Sequence, residues 1–76
     1  MKTLLTEMIR NLVDYPEKVE INEVKGDKAT VLEINVDVKD RGKIIGKEGR
    51  NILAIRTILN CIGMKYHKKV SVEIVE

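Results

Sequence analysis

The chain has 76 residues, of which 43% are hydrophobic and 34% are charged, and it contains one proline. This length gives room for one hydrophobic core, so we predict a single domain over residues 1–76. The composition excludes a disordered tail, and the formal net charge is +2.

The charge is unevenly distributed along the chain. Residues 1–38 carry five Lys/Arg against eight Asp/Glu, whereas residues 39–76 carry nine against four. The second half is therefore either a surface that attracts anions or a set of solvated helix faces, and charge alone leaves both interpretations open.

Targeting, disulfide and metal signals are also weak. Glu7 and Arg10 interrupt the apolar N-terminal segment, so we expect no signal peptide, no membrane contact and a cytoplasmic location. The single cysteine, Cys61, cannot form an intramolecular disulfide, and we predict that it is a small core residue. Because Cys and His do not cluster, we expect no metal ion and no cofactor.

The first half of the chain shows one helical and two strand patterns. Apolar residues at helical spacing over residues 4–13 predict a helix that ends before Pro16. Val19 and Ile21 alternate with polar residues, and Val24 continues out of phase, which predicts a strand with a bulge as an open alternative. After a turn at residues 25–28, a second strand follows in the alternation of Leu32, Ile34, Val36 and Val38.

The second half shows a short helix, a long helix and a last strand. The short helix spans residues 40–45 and ends at Gly46. The long helix begins after Gly49 and ends at Gly63, with an apolar face formed by Ile52, Ile55, Ile58, Leu59 and Ile62. Val70, Val72 and Ile74 alternate with polar residues as the last strand.

The fold class predicted from this order is α+β, with elements arranged α-β-β-α-α-β. The first two strands form a hairpin, and the crossover through two helices returns the third strand parallel to the second. We therefore predict a three-stranded mixed sheet covered by helices on one face. The other face should be open to water and carry Glu33, Asn35, Asp37, Ser71 and Glu73.

The segment Gly46-Lys47-Glu48-Gly49 joins the two predicted helices. Glycine at both ends permits a sharp turn and close approach by another chain. The loop also precedes the N-terminus of the long helix, where free backbone N–H groups favour an anion, and Lys43 and Arg50 add positive charge nearby. A phosphate backbone fits this combination.

The glycine spacing excludes the common nucleotide-binding motifs. A Walker loop requires a hydroxyl residue after Gly-Lys, and Glu48 occupies that position. The glycines at 42, 46 and 49 also fail to match a dinucleotide fingerprint. No nucleophile–base pair or paired carboxylate stands out, so we predict that the protein is not an enzyme.

The stretch Gly42–Arg50, with sequence GKIIGKEGR and with Ile52 and Ile55 behind it, resembles the signature of KH domains. In KH domains a GXXG loop clamps about four nucleotides through their backbone. The loop between a short and a long helix, after a hairpin and before a last strand, is similar to the type II KH arrangement over essentially the whole chain. The chain looks most like the small bacterial stand-alone KH proteins of the KhpA (YlqC-like) family.

This resemblance implies a protein that binds single-stranded RNA as a post-transcriptional regulator or RNA chaperone. The residues expected to contact RNA are Lys43, Ile45, Gly46, Lys47, Glu48, Gly49 and Arg50. Glu48 is a mild departure, since its negative charge opposes phosphate binding. The resemblance also implies a homodimer and a larger Jag-like KH protein as a partner.

The alternative function is a protein-interaction or oligomerisation module with the same fold. The long helix is apolar on a second side, which carries Leu53, Ala54, Cys61 and Met64. Either the first helix covers this side within one monomer or a second copy of the chain does. The cations around the glycine loop favour RNA binding over a purely structural module.

Overall fold

Three helices and three strands lie within residues 1–75, the part of the chain described by the computed structural model. Their bounds are α1 Lys2–Arg10, β1 Glu20–Lys25, β2 Ala29–Asn35, α2 Arg41–Ile45, α3 Arg50–Lys65 and β3 Lys69–Ile74. Short 3-10 turns lie at Pro16–Lys18, Val38–Asp40 and Lys47–Gly49. This order confirms the predicted α+β arrangement.

The central strand of the sheet is β2. It pairs antiparallel with β1, so that Ile21 lies opposite Ile34, and parallel with β3, so that Leu32 lies opposite Val72. The parallel pair requires a crossover, which α2 and α3 supply. The mixed three-stranded sheet is confirmed.

The core lies between one face of the sheet and the helices. Helix α1 contributes Leu5 and Ile9, and α3 contributes Ile55 and Leu59, all buried. They pack against alternate strand residues, namely Ile21, Leu32, Ile34, Val70 and Val72. The opposite face is the one predicted to be open, where Glu73 is exposed and Glu33, Asn35 and Ser71 are half-buried.

Two details of the strands differ from the sequence prediction. The β1–β2 register runs without interruption from Glu20 opposite Asn35 to Lys25 opposite Thr30, so there is no bulge. Val24 simply occupies the open face, where 59% of it is exposed. Val38 lies beyond β2 in a 3-10 turn, because the Asp37 side chain accepts a hydrogen bond from the Lys39 N–H at 2.9 Å and ends the strand.

The end of α3 also differs from the prediction. The helix continues through the buried Gly63 to Lys65. A Cβ on Gly63 would lie 2.6 Å from the Lys68 carbonyl oxygen, so this glycine allows β3 to pack closely against the helix. His67 closes the helix instead, with φ 57, while the Lys68 N–H donates to Gly63 O at 2.9 Å.

The predicted positions of Ile58 and Cys61 are wrong. Cys61 is exposed, and 46% of Ile58 is exposed. At 100° per residue both lie away from the side of α3 that carries Ile55 and Leu59. Helix α3 therefore presents apolar side chains to the outside as well as to the core.

Candidate functional site

The glycine loop turns sharply between α2 and α3. Gly46 has φ 76 and ψ 174, a conformation essentially restricted to glycine. The Gly49 N–H donates to Gly46 O at 3.1 Å, and Glu48 and Gly49 follow with φ 57 and φ 74. Three positive φ angles in four residues give the loop one tightly defined shape.

Asn51 holds the two sides of this loop together. Its Nδ2 donates to the Lys43 carbonyl oxygen at 2.8 Å, which satisfies an acceptor at the end of α2. A Cβ on Gly46 would lie 2.6 Å from Asn51 Cγ, so glycine is also required there by packing. Sequence reasoning missed Asn51; the available signal was a short polar side chain in the first turn of a helix that follows a glycine loop.

The surface beside the loop is open at two glycines. A Cβ on Gly42 or Gly49 would meet nothing within 4 Å. At Gly49 the positive φ explains the residue type, whereas Gly42 is an ordinary residue of α2 with neither a packing nor a conformational requirement. Another chain can therefore approach the backbone closely at both positions.

Two cations at the loop are available to a ligand. Lys47 is exposed and forms no ion pair within residues 1–75. Arg50 lies 3.7 Å from Glu48, and their side chains are 76% and 70% exposed. A surface pair of this kind is weak, so a phosphate can replace the carboxylate. The N-cap residue of α3 is Gly49, so no capping side chain accepts a hydrogen bond from the backbone N–H groups in the first turn.

Lys43, the third predicted cation, is held differently. Its Nζ lies 2.9 Å from Asp14 Oδ2 and 3.2 Å from Asp40 Oδ1. Hydrogen bonds to Asp14 and then to Asp40 raise the pKa of Lys43 above its ordinary value. The structure thus brings Lys43 to two carboxylates, and its charge serves mainly to fix α2.

Asp40 is the buried anchor of this arrangement. Its carboxylate accepts hydrogen bonds from the backbone N–H groups of Asp14 at 3.1 Å and Tyr15 at 3.0 Å. Burial raises the pKa of Asp40, but these N–H groups and the Lys43 ammonium outweigh it and leave the pKa below its ordinary value. Sequence analysis missed this role because the two backbone partners, Asp14 and Tyr15, lie more than twenty residues away along the chain.

Three isoleucines, Ile44, Ile45 and Ile52, adjoin the glycine loop in sequence, and only one of them is open. Ile44 is fully buried and Ile52 is nearly so, whereas 42% of Ile45 is exposed. Ile45 is therefore the apolar side chain beside the glycine loop that a base can reach. The structure places the exposed side chains of Ile45, Lys47, Glu48 and Arg50 around the loop, and the Lys43 side chain is 43% exposed but paired with carboxylates.

Comparison with known proteins gives consistent matches. The profile of the family described as KhpA/KhpB, KH domain, matches residues 2–74. The chain is 51% identical to the RNA-binding protein KhpA of Chlamydia caviae, which covers all of this chain and 97% of the relative. It is 47% identical to the protein of that name from Clostridium perfringens, in a match that covers 99% of this chain and 100% of the relative. It is 43% identical to that of Aquifex aeolicus, in a match that covers 100% of this chain and 96% of the relative.

The relatives are named for RNA binding and not for a reaction. No solved structure matches the chain. Within residues 1–75, no helix combines the length and apolar character needed to cross a membrane.

Proposed function

The chain belongs to the KhpA/KhpB family of KH-domain proteins, and on that premise we propose that it binds single-stranded RNA by clamping the backbone at Gly46–Gly49. The observation that carries this proposal is the combination of an open, rigid glycine loop with exposed cations at the N-terminus of α3. The relatives named as RNA-binding proteins support the ligand class.

In this proposal the phosphates lie along the loop. The open surface at Gly49 admits the sugar–phosphate backbone, and the free N–H groups of α3 donate hydrogen bonds to a phosphate oxygen. Lys47 and Arg50 supply full charges, while Lys43 contributes through the position of α2. When a phosphate binds Arg50, the Glu48 carboxylate leaves Arg50 and is hydrated by solvent.

Recognition of bases should be loose. Ile45 offers an apolar contact, but the chain has only two aromatic residues, both tyrosines, and neither lies in the glycine loop. Stacking on several aromatic residues, the source of affinity in many single-strand binders, is therefore not available at this site. We expect modest affinity at each site and weak sequence preference.

A specific observation favours a second function beside RNA binding, namely self-association through α3. Leu53, Ile58 and Met64 are 57%, 46% and 74% exposed, and Cys61 is exposed among them. Helix α1 packs on the sheet beside β1 and leaves this face uncovered. A homodimer would bury the face and carry two glycine loops, which raises apparent affinity through effective concentration.

The finer roles remain predictions. These are a post-transcriptional regulator or RNA chaperone, a cytoplasmic location, and a larger Jag-like KH protein as partner. The experiment that tests RNA binding itself is fluorescence anisotropy with a labelled single strand and with its perfect duplex, each over a range of salt. We expect single-strand selectivity and a log–log salt slope of roughly −2 to −3, from about −0.7 per phosphate. Preference for the duplex would contradict the clamp.

A further inference from the structure

A second basic surface lies at the opposite end of α3 from the glycine loop. The Lys69 N–H donates to the Lys28 carbonyl oxygen at 2.9 Å, which joins the α3–β3 loop to the β1–β2 turn. The two segments bring their lysines to one end of the sheet. We define the far-end patch as Lys25, Lys28, Tyr66, Lys68 and Lys69.

The charge of this region is not balanced. Residues 23–28 and 65–69 contain five lysines, namely the four of the patch and Lys65, and two acidic residues, Glu23 and Asp27. Their formal charges sum to +3. Lys25 lies 3.7 Å from Glu23, whereas the other lysines form no ion pair within the described part of the chain. An anionic partner would therefore find free cations here.

An exposed aromatic ring lies among these lysines. Tyr66 is 60% exposed, and the Lys65 ammonium lies 5.7 Å from its ring centroid. Tyr66, Lys25 and Lys68 line a cleft of about 340 Å³ between the sheet and the end of α3. The size of this cleft suits a nucleotide, and the ring provides a surface for a base.

The patch is too distant to belong to the glycine-loop site. Helix α3 has 16 residues and separates the two surfaces. At 1.5 Å per residue this is about 24 Å, beyond the four nucleotides that a KH loop holds. A ligand at the far-end patch must be a further segment of a long chain or a different molecule.

We infer that the far-end patch is a second contact for the single-stranded RNA, with bases against Tyr66 and phosphates against the lysines. The inference rests on the proposed function. Charge complementarity favours a polyanion, and the exposed ring among lysines favours a nucleic acid over an acidic peptide, which has no base to stack. One protomer then holds two segments of one RNA.

The test compares two RNA lengths, about five nucleotides to fill one site and about fifteen to reach both. Tyr66→Ala removes the ring without a change of charge, and Tyr66→Phe is its matched control. Lys28→Gln with Lys68→Gln removes two cations. We expect Tyr66→Ala and the double Gln variant to bind the long RNA roughly tenfold more weakly and the short RNA as wild type does. Tyr66→Phe should match wild type.

A measurement on the wild type makes the test independent of mutant folding. In NMR titrations, short RNA should shift amide signals of residues 43–51 alone, and long RNA should also shift those of residues 25–28 and 65–69. The inference is overturned if both far-end variants bind the long RNA as tightly as wild type, or if the long RNA shifts only signals of the glycine loop. Either result leaves the proposed function intact. The inference is also overturned if polyglutamate binds the far-end patch and RNA does not. If Lys47→Asp with Glu48→Asp still binds the short RNA, the proposed function fails instead.

Discussion

The Asn51 side-chain amide donates to the Lys43 carbonyl oxygen at 2.8 Å, which ties the first turn of α3 to the end of α2 across the glycine loop. The loop is therefore held in shape before any ligand arrives. A preorganised site loses less entropy on binding than a flexible one.

Removing this bond should loosen the loop. Asn51→Ala deletes the donor to Lys43 O, and we expect a loss of about 1 kcal/mol in the free energy of unfolding, the usual value of one hydrogen bond. RNA affinity should fall as well. Urea unfolding and RNA titration of the same samples check both effects, and unchanged values for both would show that the bond does not organise the loop.

The two loop glycines should respond unequally to alanine. Gly46→Ala combines φ 76 with a clash against Asn51 Cγ at 2.6 Å, so we expect a loss of stability. The loss should approach about 3 kcal/mol. Gly49→Ala, with φ 74 and open space, should cost only about 1 kcal/mol. Thermal unfolding ranks the variants, and equal losses would contradict the contact with Asn51.

Acid should weaken the attachment of α2 through Asp40. In the folded protein the pKa of the Asp40 carboxyl lies below its ordinary value of 3.8. The ionised carboxylate therefore contributes fully to stability above the pKa of the unfolded chain, and this contribution is lost as the pH falls through the pKa of the folded protein. Wild-type stability should therefore decline below about pH 5. Asp40→Asn should be less stable at pH 7 and lose less on acidification. The free energy of unfolding by urea, measured against pH, tests this. If it changes in parallel for wild type and Asp40→Asn, Asp40 does not cause the acid sensitivity.

Self-association should depend on the outer face of α3. Met64 is 74% exposed, so Met64→Glu should fold normally yet place a charge in a dimer interface. Sedimentation over a concentration series should show a wild-type dimer and a monomeric variant. Thr3→Glu, on the exposed side of α1, is the control and should behave as wild type. A wild type that stays monomeric at high micromolar concentration would eliminate the dimer.

The sheet could be predicted from the sequence because strand periodicity is local. Leu32 and Ile34 in β2, and Val70 and Val72 in β3, alternate with polar residues and are buried as expected. The glycine loop was also predictable, because glycine readily adopts the positive φ angles of a tight turn and both Gly46 and Gly49 do so.

The rest depended on tertiary contacts. The bonds from Asp40 to the backbone of Asp14 and Tyr15 join segments that no local pattern connects. Cys61 was misplaced because its residue type favours burial, while the phase of α3 turns it outward. Gly63 resembled a helix end, but its close contact with Lys68 O is visible only once β3 is in place.

The central claim is tested most directly by Lys47→Asp combined with Glu48→Asp at the exposed loop. The matched control is Glu17→Asp with Lys18→Asp, an exposed pair with the same change of charge in the turn before β1. Binding of a labelled single-stranded RNA should be lost in the loop variant and kept in the control. Both variants should unfold within about 0.5 kcal/mol of wild type. A loop variant that binds RNA as tightly as the control would contradict the clamp.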